Sequence, residues 1–198
     1  MHYHPSSYIC FEQNEKQIAM LDFDNIKDAV HSIGSKEEVQ ALADWMGNDP
    51  EKFADLWNCI VSKDHPRYWR SAWVMDKLTA KYPQLLLSYR EKLVQQLEID
   101  HAPGVYRAVL KAIVRNPIPE AVQGFLFDYA IKHLLNPQSS AAIQAHSMTI
   151  AYEIAKDIPE LKEELRAVIT DQAEYNTAAY QSRARQILKK MDIINIKI

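Results

Sequence analysis

The chain has 198 residues, of which 47% are hydrophobic and 25% charged, and only 4 are glycine. So little glycine argues against Rossmann, P-loop and β-meander folds, whose phosphate cradles and tight hairpins need backbone with positive φ. The net charge of −3 also differs from the strongly basic balance of a dedicated nucleic-acid binder.

Charge is distributed unevenly along the chain. Residues 12–64 carry 5 Lys/Arg and 12 Asp/Glu, residues 65–115 carry 9 and 4, and residues 176–198 carry 5 and 1. An acidic front therefore precedes a basic middle and a basic end. Such asymmetry can steer a charged partner, although local charge is most often a solvated surface.

Residues 1–23 contain no basic n-region followed by an apolar h-region, and no apolar run in the chain reaches the length of a membrane span. We expect a partly ordered N-terminal segment, no membrane partner and a cytoplasmic location. Cys10 and Cys59 lack CxxC spacing, which predicts buried thiols, and a disulfide between them stays an open alternative. His2 and His4 alone make an incomplete metal site, so no metal is predicted.

Four prolines divide the chain at similar intervals, which lengthen slightly toward the C-terminus: Pro50, Pro83, Pro119 and Pro159. A polar residue and then an apolar run at helical spacing follow each of them, which is typical of proline at the first position of a helix. Because proline disfavours the αR conformation of the preceding residue, each proline predicts a corner between two helices.

About ten helices are predicted. In chain order they cover residues 24–33 and 37–46, the segment after Pro50, residues 68–80, the segment after Pro83, residues 105–114, the segment after Pro119, residues 141–156, the segment after Pro159, and residues 176–191. Strand signals are weak, and the tail at 192–198 alternates only briefly. The sequence therefore predicts an all-α domain over residues 24–191.

Helix pairs that repeat at the intervals of the corner prolines must stack on their neighbours to bury their apolar faces. With those prolines and the Arg-Ser-Ala-Trp-Val opening of residues 70–74, this period resembles the HEAT and armadillo-like α-solenoids over residues 36–191. The resemblance implies a right-handed α-α superhelix. An irregular helical bundle without repeats is the alternative.

Four basic side chains recur at similar distances from the corners. Arg70, Arg107 and His146 precede Pro83, Pro119 and Pro159 by nearly the same number of positions, and Arg183 follows His146 by about one further repeat. Equivalent positions in stacked repeats point the same way, so these residues should form a ladder on the first helices. In the structural interpretation, which the resemblance suggests, arginines bridge repeats through carboxylates or helix C-terminal carbonyls. In the functional one, the ladder binds an acidic peptide or a phosphate backbone.

Tryptophan is concentrated beside this ladder, since all 4 Trp fall between residues 45 and 73. Trp69 and Trp73 are i,i+4 neighbours that flank Arg70, a combination found at binding hot spots and suited to base stacking. Core packing is the structural alternative, and at least one Trp is expected to be buried. The stretch is also similar to the HEAT-like alkylpurine DNA glycosylases, which implies Trp69, Trp73, Arg70 and Asp76 as their site.

No catalytic motif, catalytic residue or cofactor site is found in the sequence. The stacked helices predict a non-enzymatic adaptor that binds a protein or peptide segment through Trp69, Arg70, Trp73, Arg107, His146 and Arg183. Nucleic acid is the second class of partner, although the acidic front disfavours sustained duplex binding. We expect a monomer or a weak homo-oligomer.

Overall fold

The computed structural model describes the backbone of residues 25–195 and the side chains of residues 25–192. The predicted N-terminal segment, Cys10 and residues 196–198 of the tail lie outside this range. Cys59 is a free buried thiol, as predicted, and burial raises its pKa.

All regular structure in residues 25–195 is helical, which confirms the all-α prediction. The chain forms two compact units, and the boundary between them lies between Leu85 and Leu86. The first unit contains α1 (Ile26–Ser32), α2 (Lys36–Met46), α3 (Pro50–Ser62) and α4 (Trp69–Lys81). The second contains α5 (Arg90–Gln95), α6 (Pro103–Val114), α7 (Gln123–Leu135), α8 (Ala141–Ala155), α9 (Pro159–Ala173) and α10 (Ala178–Asn195).

Within each unit the helices form two layers. In the first unit α2 packs on α4, α1 packs on α3, and α3 contacts α4 between the layers. In the second unit α6 and α10 both pack on α8, α7 packs on α9, and α8 contacts both α7 and α9. First helices thus stack on first helices and second helices on second helices, as the repeat pattern predicts, except that the short α5 packs mainly on α6.

Aliphatic and aromatic side chains at helical spacing fill both cores. Such burial is the main stabilising contribution, about 1.5–3 kcal/mol for each large apolar side chain. Fully buried residues of the first unit include Val30, Leu42, Phe53, Leu56 and Met75, and those of the second include Val105, Leu110, Leu126, Met148, Leu165 and Tyr180.

Two of the four corners differ from the prediction. Pro50 and Pro159 occupy the first turn of α3 and α9, as expected. Pro83 instead opens a 3-10 helix (Pro83–Leu86), and α5 begins only at Arg90. In this tight turn the adjacent Leu85 and Leu86 are both buried, while Leu87 stays 57% exposed. The prediction that an α-helix opens at Pro83 is therefore wrong.

The corner at Pro119 is also more elaborate than predicted. Pro119 is extended, with ψ of 139°, and precedes a 3-10 helix (Glu120–Val122), so α7 starts at Gln123. Proline removes the N–H groups of residues 117 and 119 and disfavours αR before each, which delays the helix. Conversely, Pro103 opens α6, a corner that the spacing argument missed.

Side-chain caps define several helix starts. Asn25, Asp49 and Ser140 accept hydrogen bonds from backbone N–H groups at the starts of α1, α3 and α8. Ser35 forms a capping box: its Oγ accepts from Glu38 N, and the Glu38 carboxylate accepts from the backbone of Gly34 and Ser35. These backbone bonds lower the pKa of Glu38, so this carboxylate serves as a helix cap.

We expect Ser35→Ala to lower the free energy of unfolding by about 1 kcal/mol, because a helix N-cap is lost. Since the pKa of Glu38 is lowered in the folded state, its contribution is present above the ordinary carboxyl pKa and disappears as the pH falls through the folded-state value. Urea denaturation at several pH values measures both effects. Glu37→Gln, a neighbouring exposed change outside the box, is the control, and an equal loss in both variants would contradict the assignment.

Candidate functional site

The predicted ladder divides into two parts according to helix register. Arg107 is the fifth residue of α6, and His146 and Arg183 are the sixth residues of α8 and α10. These three helices are stacked neighbours in the second unit. Arg70, in the first unit, is the second residue of α4 and so lies about one turn earlier in its helix.

Arg70 is held by the end of another helix. Its side chain is half-buried, and Nη1 donates to the carbonyl oxygens of His31, at 3.3 Å, and of Ile33. Both carbonyls belong to the C-terminal end of α1, where acceptors lack helical partners. Burial, together with the nearby Arg67, lowers the pKa of Arg70. This is the geometry that the structural interpretation of the ladder requires.

Two histidines stack beside this contact. The rings of His31 and His65 lie 3.7 Å apart between centroids at an interplanar angle of 17°. His65 Nδ1 accepts a hydrogen bond from Arg67 N at 3.0 Å, which fixes the turn that leads into α4. Burial, followed by the proximity of His65, lowers the pKa of His31, so the stacked ring of His31 is neutral at neutral pH. No local pattern in the sequence indicates this pair, because its members belong to different helix-pair repeats and lie far apart in the chain.

Trp69 and Trp73 share one face of α4, as predicted. Their rings are nearly parallel, with centroids 6.4 Å apart, and both side chains are half-buried. The Arg70 guanidinium lies 5.6 Å from the Trp69 ring centroid. Trp57, at 7% exposure, is the buried tryptophan that the sequence led us to expect. Asp76, which the glycosylase resemblance implies, is only 6% exposed.

The outward side of the first helices in the second unit carries the rest of the ladder. Arg107 is exposed and Arg183 is half-buried, and neither forms a hydrogen bond or ion pair with the described residues. His146 is half-buried and has an interaction of its own. Because α8 lies between α6 and α10 in one layer, the structure arranges these three residues in the order in which they occur in the sequence.

Further residues complete this surface, which we call the outer face. Lys190 lies two turns after Arg183 on the same flank of α10, and its Nζ is 5.4 Å from the Tyr152 ring centroid of α8. The partly exposed stripe of α8 consists of Ala142, His146, Thr149 and Glu153. Sequence reasoning missed Lys190, although its i,i+7 relation to Arg183 was available as a signal.

Other chemistry finds little support in the described residues. Within residues 25–192 no three His, Cys, Asp or Glu side chains are grouped as ligands for a metal ion. In the described part of the chain His133 Nδ1 lies 2.8 Å from Ser139 Oγ, and this contact links the end of α7 to the loop before α8. Among the helices of residues 25–195, none combines the length and apolarity that crossing a bilayer requires.

Paired helices whose first and second members stack in separate layers are the repeats of α-solenoid proteins. A comparison with family models is more particular, since the model of the HEAT repeat domain matches residues 26–191. The chain therefore belongs to the HEAT repeat domain family, which confirms the resemblance found in the sequence. Searches of curated proteins and of solved structures found no match.

Arg70 and Arg107 have different surroundings, so we expect their replacement to lower the free energy of unfolding by different amounts. Arg70→Gln removes the donor of the Ile33 carbonyl and leaves the His31 carbonyl with only the 3.5 Å contact from Arg67 Nη1, so it should lower the free energy of unfolding by about 1–3 kcal/mol. Arg107→Gln, the matched exposed change, should stay within about 0.5 kcal/mol of the wild type. Urea denaturation followed by circular dichroism measures both. Equal losses would mean that Arg70 contributes no more to stability than an exposed residue.

The His31–His65 stack predicts a pH effect on stability. Because the folded state lowers the pKa of His31, the unfolded state binds the proton more readily. The free energy of unfolding therefore keeps its full value above pH 6.5, the ordinary pKa of histidine. It decreases as the pH falls from there to the pKa of His31 in the folded state. His31→Gln should reduce the loss of thermal stability between about pH 7.5 and 5.5. The His31→Gln variant should still lose some thermal stability at low pH, because the pKa of His133 is also lowered. A loss as large as that of the wild type would contradict this role of His31.

Proposed function

We propose that this HEAT repeat protein is a non-enzymatic protein-binding module that holds a partner segment on the outer face. The proposal depends on one observation: three consecutive first helices present Arg107, His146 and Arg183 at matching register, and the two arginines make no bond within the described chain. A structural ladder would use both guanidinium groups as Arg70 is used. Their fork geometry remains available for a carboxylate or carbonyl of a partner.

The family supports the same function, because stacked helix pairs form extended surfaces that bind proteins. Trp69 and Trp73 stay predicted anchors on the first unit, since half-buried tryptophans are typical of binding hot spots. Arg70 is assigned to the fold, where it supports α1. We expect the protein to act in the cytoplasm, as a monomer or weak homo-oligomer, and without a cofactor.

Affinity capture tests the proposal. The bait is the full chain, compared with Arg107→Glu/Arg183→Glu, which reverses two charges on the outer face. The matched control is Lys92→Glu/Lys132→Glu, which reverses two charges on the second helices α5 and α7. We expect the first variant to lose a captured protein by about tenfold, with both melting temperatures nearly unchanged. The control should retain the protein.

Two outcomes would contradict the proposal. If both variants capture the same proteins as the wild type, the outer face is not the binding surface. If nuclease treatment removes whatever is captured, the partner is a nucleic acid, and the glycosylase-like alternative at Trp69, Trp73 and Asp76 gains weight. That alternative would then be supported if the protein releases bases from alkylated DNA and the Asp76→Asn variant does not.

A further inference from the structure

We infer that the partner of the outer face is an acidic, amphipathic protein segment. The inference rests on the proposed function and names the chemistry that this face would recognise. It follows from how charge and apolar surface are arranged across α6, α8 and α10 of the second unit.

Cationic side chains flank the face on both sides. Arg107 and Lys111, one turn apart, lie on α6, whose sequence includes no acidic side chain. On α10 the flank next to α8 carries Arg183 and Lys190, and Lys189 is exposed beside them. Such side chains bind carboxylates, and the guanidinium groups can do so through two parallel hydrogen bonds.

The middle of the face is nearly neutral. Between the cationic flanks α8 presents the small side chains of Ala142 and Thr149, together with His146. The one acidic residue of the stripe, Glu153, is neutralised by Lys156, whose Nζ lies 3.0 Å from Glu153 Oε2. An approaching carboxylate therefore meets little repulsion, and small side chains allow a partner backbone to come close.

A groove of mixed polarity adjoins the face where α8 ends. It has a volume of about 610 Å³ and is lined by charged residues, among them Glu153, Lys156 and Asp157, as well as by isoleucines, of which Ile113, Ile150 and Ile154 are buried and Ile158 is 39% exposed. Ile158 offers an aliphatic side chain of a partner a contact that a phosphate backbone cannot use. Basic flanks next to a groove with both charged and apolar lining are complementary to a segment that has both carboxylates and apolar residues.

Nucleic acid fits these observations less well. Recognition of single strands uses several exposed aromatic rings for stacking, and the described α8 stripe between the basic flanks offers one ring, the imidazole of His146. The net charge of −3 also repels a polyanion at long range, and the repulsion grows with the charge of the polyanion. The structure thus favours an acidic protein segment over a phosphate backbone.

Binding of defined probes to the purified full chain tests the inference. The first probe is a fluorescent helical peptide with Glu on one face and Leu on the other. The second has Gln in place of every Glu, and the third is a DNA duplex of the same total charge as the first. Fluorescence anisotropy, repeated at two salt concentrations, gives the affinities. The variant is Arg107→Gln/Arg183→Gln, and its matched control is Lys92→Gln/Lys132→Gln.

We expect the Glu peptide to bind at least about tenfold more tightly than the Gln peptide, and to weaken as salt rises. The Arg107→Gln/Arg183→Gln variant should lose most of that difference, and the control should retain it. Circular dichroism melts of both variants should match the wild type, which separates lost binding from lost folding.

The remaining outcomes overturn the inference in distinguishable ways. Equal affinity for the Glu and Gln peptides means that the face does not select carboxylates, although the proposed function stands if capture still depends on Arg107 and Arg183. Tighter binding of the duplex assigns the face to nucleic acid. If neither peptide binds, and the Arg107→Glu/Arg183→Glu variant captures the same proteins as the wild type, both the inference and the proposed function are overturned.

Discussion

The packing of α8 is the constraint on which the second unit depends. This helix contacts α6, α7, α9 and α10, so most of its circumference is enclosed. Ser147, Met148, Ala151 and Ala155 are completely buried, and small residues at three of these positions allow neighbouring helices to approach closely. Only a narrow stripe of α8 stays accessible, and that stripe must be shared with the flanks of α6 and α10. A binding surface in this layer is therefore necessarily built from three helices at once.

The ladder illustrates how one regularity of sequence serves two physical purposes. Arg70 satisfies carbonyl oxygens at the end of α1, which are acceptors that a helix terminus leaves without partners. Arg107 has a similar distance to its corner proline but stands exposed on α6. What separates them is the position in the helix: a guanidinium in the first turn of α4 reaches a neighbouring terminus, whereas one a turn later on α6 does not.

Positive charge in the second unit is concentrated in the layer of first helices. Within their bounds α6 and α10 together carry six Lys/Arg and one Asp/Glu, whereas α9 in the other layer carries four Asp/Glu and two Lys/Arg. With α5 and α7 included, the second layer carries five Lys/Arg and six Asp/Glu and is close to neutral, so the unit has one basic side. Such a division orients a charged partner toward one layer and disfavours binding to the other.

Local patterns in the sequence determined the helical class, the approximate bounds of most helices and the corners at Pro50 and Pro159, because these depend on residues within a few positions. The sequence also indicated the HEAT family and the ladder. Only the tertiary structure decided that Arg70 binds the end of α1, that His31 stacks on His65, and that Lys190 lies beside α8. Each of these contacts joins residues that are distant in the chain, and their pairing depends on how helices pack rather than on any local pattern.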